Sequence, residues 1–269
     1  MELRNGIRIP EIGLGVYKLQ AGAEMNTAVG AAYRLGYRLF DTAQMYGNEA
    51  GLGEALCEND IARENVFLVS KVHNTNQWYE PTIESLHISL EKLQTTYLDA
   101  YLIHWPGQNR ERTLSTWQAM EQAYRDGLTR SIGVCNFEIS QLEFLLAHCT
   151  IPPMINQIEH TPLLHDPALL SFCREHGIQV VAWAPLLRGK FGEEIPKIAE
   201  KYQKTPAQLL LRWNLQQGII PIPKSKNPAR LAENFDVFDF SVSEEDMERL
   251  NAMNCGKRTS FDPLTFDFE

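Results

Sequence analysis

Short apolar runs rich in β-branched residues recur along the chain at intervals of a few tens of residues. Between them lie segments with helical periodicity, such as 80–93, 166–177 and 205–218. In the last two, a proline follows a candidate N-cap, Asp166 or Thr205, and a glycine ends the segment, which is typical of helix termini. The pattern therefore predicts alternating strands and helices. The eight apolar runs are residues 12–17, 38–43, 66–72, 99–105, 130–136, 153–159, 179–186 and 219–225.

Eight strand–helix units at a spacing of roughly thirty residues are typical of a closed barrel of parallel strands. We therefore predict an α/β fold, a (β/α)8 TIM barrel, formed by one domain over residues 1–269. An open doubly wound sheet is the rival fold, but it usually carries a G-x-G-x-x-G motif after its first strand, and the sequence has none there. The Asn5-Gly6 pair between two short alternating segments predicts an N-terminal β-hairpin with a type I′ turn, which would cap the barrel bottom.

Composition and charge narrow the classes of function. The net charge of −9 argues against a surface that attracts nucleic acid, so any anion site must be local. The five cysteines show no C-x-x-C pair and no zinc-type spacing, which favours reduced thiols and no metal centre. No signal-type apolar core begins the chain, and no stretch approaches the ~20 apolar residues of a membrane span. We expect a cytoplasmic protein without nucleic-acid or membrane partners.

Polar and charged residues stand at the ends of successive predicted strands, where barrels carry their active sites. Asp41 ends the second strand, and Tyr46 follows it by five residues. Lys71 and His104 end the third and fourth strands. A desolvated lysine held by an aspartate, with a tyrosine and a histidine facing the same cavity, is suited to delivering a proton to a carbonyl oxygen.

Each of these residues also has a simpler explanation. Asp41 could cap a helix or pair with a buried arginine, and Lys71 could extend its amine out of the core. His104 could be a hydrogen-bonded core histidine, and Tyr46 could serve packing alone. Because all four residues stand at or near the ends of neighbouring strands, a shared catalytic role is favoured over four separate structural ones. In this interpretation Lys71 lowers the pKa of Tyr46 below its ordinary value of about 10, and a nicotinamide supplies the hydride.

A second cluster follows the last predicted strand, in the stretch 221–235. Lys224, Ser225 and Lys226 precede a predicted helix that carries Arg230 in its first turn. Cations combined with the amides of a helix N-terminus form a local phosphate site, and barrels commonly bind phosphate after the last strand. A short basic cluster can equally be a solvated turn.

Seven motifs together resemble those of the aldo-keto reductases over essentially the full length of the chain. Its compact size and short tail are most similar to bacterial members of the 2,5-diketo-gluconate reductase type. The motifs are GYRLFDTAQMYGNEAGLGEAL (36–56), LVSKV (68–72), YLIHWP (101–106), GVCNF (133–137), NQIEHTP (156–162), AWAPL (182–186) and IPKSKNPARLAENF (222–235).

The resemblance implies a monomeric NADPH-dependent reductase of aldehydes and ketones, such as small carbonyl compounds, keto esters or keto sugars. It implies a catalytic tetrad in which Tyr46 is the general acid, completed by Asp41, Lys71 and His104. The residues implied for the nicotinamide are Asn136, Gln157 and Trp183, and those implied for the pyrophosphate loop are Leu186 and Gly189. Those implied for the 2′-phosphate are Lys224, Ser225 and Arg230, and those for the adenine are Glu233 and Asn234. The substrate pocket is expected to be walled by Tyr17, His73, Trp78 and Trp105.

Two other functions are compatible with such a barrel. A redox-sensing regulatory subunit would bind NADPH with little turnover, but it usually carries an additional docking segment and can dispense with the tetrad. A Schiff-base aldolase would use Lys71 as its nucleophile. That chemistry needs an uncharged amine, and Asp41 would instead keep Lys71 protonated.

Overall fold

The computed structural model describes residues 1–268, and its centre is one sheet of eight parallel strands in the order of the sequence. The sheet curls into a nearly closed barrel with helices between the strands, which confirms the predicted fold class. The strands are β1 Gly13–Gly15, β2 Leu39–Asp41, β3 Phe67–Val72, β4 Ala100–Ile103, β5 Ile132–Cys135, β6 Ile155–Glu159, β7 Gln179–Trp183 and β8 Ile220–Pro221. Each is shorter than the apolar run that predicted it.

Ten helices accompany this sheet within the described residues. They are α1 Ala23–Leu35, α2 Glu49–Glu58, α3 Tyr79–Lys92, α4 Arg110–Arg125, α5 Ile139–His148, α6 Pro167–Glu175, α7 Glu194–Lys201, α8 Pro206–Gln216, α9 Pro228–Phe235 and α10 Glu244–Asn251. The apolar faces of α7 and α10 pack on α8 in a cluster separate from the barrel core. Within residues 1–268, none of these helices is long and apolar enough to span a membrane. The same range contains no group of three or more His, Cys, Asp or Glu side chains placed to hold a metal ion.

The predicted helix termini are present at α6 and α8. The Asp166 side chain accepts hydrogen bonds from the amides of Ala168 and Leu169. Thr205 forms a capping box with Gln208, in which each side chain bonds to the backbone of the other. Both caps satisfy amides that the first turn of a helix leaves unpaired, so the sequence signals act here through hydrogen bonding.

The barrel approaches closure between its first and last strands. The amide of Gly15 donates to the carbonyl of Pro223 over 3.2 Å. A Cβ atom on Gly15 would lie 2.9 Å from the carbonyl oxygen of Ile222, so a larger residue would push the two strands apart. The barrel can therefore close at this point only with a glycine at the end of β1. The same glycine lines a cavity at the barrel mouth.

The N-terminal hairpin is present, but its turn differs from the predicted type I′. The Leu3 amide donates to the Ile7 carbonyl, and the Gly6 amide donates to the Leu3 carbonyl. Gly6 has a φ of 82°, whereas Asn5 is not among the residues with positive φ. This is a three-residue loop closed by a left-handed glycine, because Asn5 uses its side chain to accept from Ile7 and to donate to the carbonyl of Arg130. The hairpin lies at the N-terminal ends of the strands.

Candidate active site

A buried ion pair joins the ends of β2 and β3. Lys71 Nζ lies 2.6 Å from Asp41 Oδ1 and donates to the carbonyl oxygen of Thr42 over 2.7 Å. The other carboxylate oxygen, Asp41 Oδ2, accepts from Gln157 Nε2 over 2.7 Å. The Lys71 side chain is fully buried and that of Asp41 almost so. The pair therefore has a fixed geometry without help from solvent.

The charge of Lys71 follows from this environment. Burial by itself lowers the pKa of a lysine, because it penalises the charged form. Here the effects of Asp41, followed by Tyr46 and Cys135, together outweigh burial. As a result, the pKa of Lys71 is raised above its ordinary value. Lys71 is therefore a cation at neutral pH and not a free nucleophilic amine.

Tyr46 ends a 3-10 turn that spans Gln44–Tyr46, directly after β2. Its ring centre is 5.2 Å from Lys71 Nζ, so the phenol lies beside the buried cation. The ring also contacts Tyr17 at a centroid distance of 4.9 Å, and it meets His104 edge-on at 5.7 Å. The four residues that the sequence placed at the ends of neighbouring strands thus lie together.

The pKa of Tyr46 differs in direction from the sequence prediction. Burial raises the pKa to about 12, and the opposing effect of Lys71 is smaller. The prediction that Lys71 brings this pKa below its ordinary value is therefore wrong, because removing a phenolate from water costs more than a neighbouring cation restores. At neutral pH Tyr46 is a neutral phenol, which can donate a proton.

His104, which directly follows β4, faces the same cavity and is buried. Its Nδ1 atom has no hydrogen-bond partner among the described residues. Burial lowers the pKa of His104 well below its ordinary value, with further lowering from Lys71 and then His73. His104 is consequently a neutral imidazole beside the tyrosine, and it can orient a polar atom without adding charge.

These groups stand at the end of a cavity of about 470 Å³ at the C-terminal mouth of the barrel. Most residues predicted for catalysis, the nicotinamide and the substrate line it, and Lys71 lies behind the lining. The predicted residues in the lining are Asp41, Tyr46, His104, Asn136, Gln157, Trp183, Leu186, Lys224, Tyr17 and Trp105. The structure places His73 and Trp78 outside this lining.

The two excluded residues point elsewhere for local reasons. The His73 ring lies 2.8 Å from the Thr75 hydroxyl, where it caps the 3-10 turn Asn74–Asn76. Trp78 precedes α3 with an unusual φ of 119°, and its amide donates to the Thr116 hydroxyl on α4. Their positions depend on the path of the loop after β3, which the strand pattern does not determine.

Asn136 links several groups of the cavity wall. Its Oδ1 accepts from the indole nitrogen of Trp183 over 2.8 Å, and its Nδ2 donates to the His104 carbonyl over 3.1 Å. Its backbone adopts a left-handed φ of 62°, and its amide donates to the Gln157 carbonyl. The ends of β4, β5, β6 and β7 are thus joined at this wall, and the Trp183 indole is fixed in orientation.

The segment after β8 leads from the cavity to a helix N-terminus. Lys224 lines the cavity, and the buried Ser225 hydroxyl accepts from the Asn227 amide over 3.1 Å. The Asn227 side chain caps α9 by accepting from the amides of Ala229 and Arg230. Lys226 instead pairs with Glu24 on the surface. Of the cations in this segment, Lys224 thus faces the cavity, whereas Lys226 is paired with Glu24 on α1.

The remaining predicted cofactor residues differ in exposure. Arg230 is exposed at the start of α9, whereas Asn234 on the same helix is buried. Glu233 is half-buried and accepts from the Thr205 hydroxyl over 2.6 Å, which joins α9 to the start of α8. Gly189 ends the 3-10 turn Leu187–Gly189, which follows β7, with a φ of 80°. None of these four predicted residues lines the cavity.

The C-terminal segment also forms part of the cavity at the barrel mouth, which the sequence did not predict. Ser260 and Phe261 line the cavity, as does Arg188, whose guanidinium donates to the Thr259 carbonyl. The buried Glu159 carboxylate, at the end of β6, accepts from both the amide and the hydroxyl of Thr259. The three phenylalanines of the last nine residues were the available signal, since they form an aromatic cluster at Trp105.

Comparisons with known proteins agree with this geometry. A family model described as "Aldo/keto reductase family" matches residues 11–254. The glyoxal reductase of Bacillus subtilis (strain 168) is 46% identical over 265 residues, which are 98% of this chain and 95% of that protein.

Two solved structures extend the comparison. An aldo-keto reductase enzyme from a Medee basin deep-sea metagenome library superposes with a TM-score of 0.95 at 39% identity, covering 100% of both chains. An aldo-keto reductase of Bombyx mori, solved in complex with NADP, superposes with a TM-score of 0.87 at 35% identity and covers 96% of this chain and 93% of its own.

Proposed function

Because the chain belongs to the aldo/keto reductase family, we propose that it reduces small aldehydes and ketones to alcohols with NADPH, using Tyr46 as the general acid. One observation carries the proposal. A neutral phenol stands beside a buried lysine–aspartate pair and a neutral imidazole, at the mouth of a barrel. This set of groups matches proton delivery to a carbonyl oxygen.

The residues at the cavity fit a dinucleotide. The Trp183 indole offers an aromatic face, and the amides of Asn136 and Gln157 offer hydrogen-bonding groups beside it. Lys224 and Arg230 supply positive charge near the N-terminus of α9, which is where a phosphate is favoured. When bound, NADPH supplies the hydride for carbonyl reduction.

The protein's own groups would manage the proton. Tyr46 is protonated at neutral pH because its pKa is about 12, and it would give its proton to the carbonyl oxygen of the substrate. Lys71 would stabilise the phenolate that remains, and Asp41 would hold Lys71 in place. His104 would orient the carbonyl oxygen through a neutral ring nitrogen.

We further assign preference for NADPH over NADH to the basic segment after β8. Lys224, Ser225 and Arg230 would meet the 2′-phosphate, which NADH lacks. Leu186 and Gly189 would lie over the pyrophosphate, and Glu233 and Asn234 would approach the adenine. The exposed Arg230 side chain and the buried Ser225 hydroxyl support this assignment.

The substrate class follows from the size and lining of the cavity. Tyr17, Trp105 and Phe261 give it aromatic walls beside the tyrosine–histidine pair, and about 470 Å³ must hold the nicotinamide as well as the substrate. Small carbonyl compounds fit this space. Glyoxal is a reasonable first substrate because the Bacillus subtilis relative is named for its reduction. His73 and Trp78 are not part of the proposed pocket.

The test is the loss of NADPH absorbance with glyoxal, methylglyoxal or 4-nitrobenzaldehyde, repeated with NADH. Tyr46→Phe removes only the hydroxyl, and Tyr202→Phe is the matched control because that tyrosine bonds to Asp246 on α10, away from the cavity. We expect turnover with NADPH, lost in Tyr46→Phe and kept in Tyr202→Phe. Full turnover by Tyr46→Phe would exclude the proposed acid. NADPH binding without turnover of any substrate would favour the regulatory-subunit alternative.

The proposal includes a single-domain, monomeric, cytoplasmic enzyme whose only ligands are small molecules. The five cysteines are free thiols, which suits a reducing compartment. Gel filtration with light scattering measures the oligomeric state, and a stable dimer would contradict the monomer.

A further inference from the structure

One side chain connects the segment that carries Tyr46 to the segment that carries Lys71. Gln44 precedes Tyr46 by two residues in the same 3-10 turn. Its Oε1 atom accepts from the amide of His73, two residues after Lys71, over 2.8 Å. It also accepts from Asn76 Nδ2 over 3.1 Å. A single carboxamide therefore cross-links the loops after β2 and β3.

The amide nitrogen of the same side chain is held as firmly as its oxygen. Gln44 Nε2 lies 3.1 Å from the Ser85 carbonyl, 3.0 Å from Ser89 Oγ and 2.9 Å from the Tyr101 hydroxyl. Ser85 and Ser89 belong to α3, and Tyr101 belongs to β4. An amide side chain has two hydrogens and one acceptor oxygen, so Gln44 uses its whole hydrogen-bonding capacity here.

The opposite side of the tyrosine turn is fixed by Asn48. Its Nδ2 atom donates to the carbonyls of Val16 and Leu19, which follow β1, and its Oδ1 accepts from the Thr42 hydroxyl. Tyr46 thus lies between two amide side chains, one two residues before it and one two residues after it. Asn48 ties the turn to β1, and Gln44 ties it to β3 and α3.

We propose that Gln44 is a positioning residue that holds the Tyr46 hydroxyl in register with Lys71 and His104. The inference rests on the proposed function, because it requires Tyr46 to be the acid. Proton transfer needs the donor within hydrogen-bond reach of the carbonyl oxygen, and a displacement of 1 Å can cost about 10²-fold in rate. Without Gln44, the turn stays fixed at Asn48 but loses its side-chain link to the loop after β3.

The primary test is Gln44→Met, which keeps an unbranched chain of similar length and removes every polar contact. We expect kcat for glyoxal to fall roughly 10- to 100-fold, while the Kd for NADPH from fluorescence titration stays within about 2-fold. The deuterium isotope effect on kcat, with NADPH labelled at the transferred hydrogen, should rise because the chemical step becomes slower. A purely structural role would not change the isotope effect.

Gln179→Met is the matched control. Gln179 is also half-buried and donates to the carbonyls of Val180 and Gly218, but it lies at the start of β7, at the opposite end of the barrel. We expect both variants to lower Tm and only Gln44→Met to lower kcat. An equal fall of kcat in the two variants would overturn the inference.

Gln44→Glu keeps the test valid if the methionine variant does not fold. It retains an acceptor for the His73 amide and loses the donors to α3 and β4, so its loss of kcat should be smaller but present. Folded Gln44→Met or Gln44→Glu with wild-type kcat and isotope effect contradicts the positioning role. If Tyr46→Phe is inactive at the same time, the proposed function stands and only this inference fails. If Tyr46→Phe is fully active, the proposed function itself fails.

Discussion

Two buried aspartates lie at opposite ends of the barrel, and each accepts from basic side chains. Asp99 precedes β4 at the N-terminal end. Its carboxylate meets Arg63 at 2.7 Å, Arg130 at 2.8 Å and the Leu68 amide at 2.9 Å. Both arginines are partly exposed, and 49% of the Arg130 side chain is accessible to solvent. Solvent therefore screens the charges at this end of the barrel.

Asp41 at the mouth differs in the state of its cation. Lys71 has no exposed surface, and an ammonium group has three hydrogens, of which Asp41 and the Thr42 carbonyl take two. The third ammonium hydrogen remains available for a hydrogen bond beside Tyr46. Two carboxylates with similar ion-pair distances therefore have different roles. The Asp99 cluster ties strands together, and the Asp41 pair keeps a charge out of water where a phenolate would form.

Lys71→Met should have the largest effect of the variants considered, on both kcat and stability. Without the ammonium group, the phenolate of Tyr46 has no counter-charge, so we expect kcat to fall about 10³-fold. The uncompensated Asp41 carboxylate should also lower the free energy of unfolding by about 3–5 kcal/mol. Steady-state NADPH oxidation and urea unfolding measure the two effects. A folded Lys71→Met protein with kcat near wild type would remove the difference between the two pairs.

A second contrast concerns buried histidines. His160, directly after β6, donates from Nδ1 to Asn214 Oδ1 over 2.9 Å. Its ring stacks on Trp213 at a centroid distance of 4.6 Å and lies near His165. Burial lowers the pKa of His160 to about 4. Unlike His104, it does not line the cavity. We expect it to influence stability and not turnover.

The sign of its pH dependence is defined. His160 binds a proton below about pH 6.5 in the unfolded state, but only below about pH 4 in the folded state. Its contribution to the free energy of unfolding is therefore complete above pH 6.5. It decreases as the pH falls from 6.5 to 4, by about 3 kcal/mol in total. His160→Gln should flatten that fall in urea unfolding between pH 7.5 and 4.5. Equal pH dependence in wild type and variant would show that His160 titrates normally.

Arg130→Met should produce the smallest effect. Its guanidinium is half exposed, and Arg63 and the Leu68 amide stay on Asp99. We expect the free energy of unfolding to fall by about 1 kcal/mol or less, with kcat unchanged. A large loss of kcat in this variant would mean that the far end of the barrel contributes to the chemistry.

Much of the fold and the aldo-keto reductase family could be predicted from the sequence, because apolar runs and short motifs are local features of the chain. The apolar runs located all eight strands, and the family match confirms the resemblance drawn from the motifs. Asp41, Lys71 and His104 could be brought together because parallel strands end on one rim. The similarity to 2,5-diketo-gluconate reductases in particular stays a prediction.

Other features required three-dimensional packing. The pKa of Tyr46 depends on burial against the field of Lys71, and the sequence shows the cation but not the burial. The positions of His73 and Trp78 depend on a loop with a left-handed backbone at Trp78. The contact of Phe261 with Trp105 joins residues far apart in the chain, and the five polar contacts of Gln44 join residues at shorter separations.

The pH dependence of single-turnover hydride transfer tests most directly whether the Lys71–Asp41 pair acts on a half-buried Tyr46 that is protonated at neutral pH. Saturating NADPH and glyoxal would be mixed with the enzyme in short pH jumps between pH 6 and 10.5. With a pKa of about 12 the phenol stays protonated and His104 stays neutral, so the rate should be constant up to about pH 10. A fall in rate with a midpoint near pH 8, in wild type and in the Tyr202→Phe control alike, would contradict a pKa of about 12 for Tyr46.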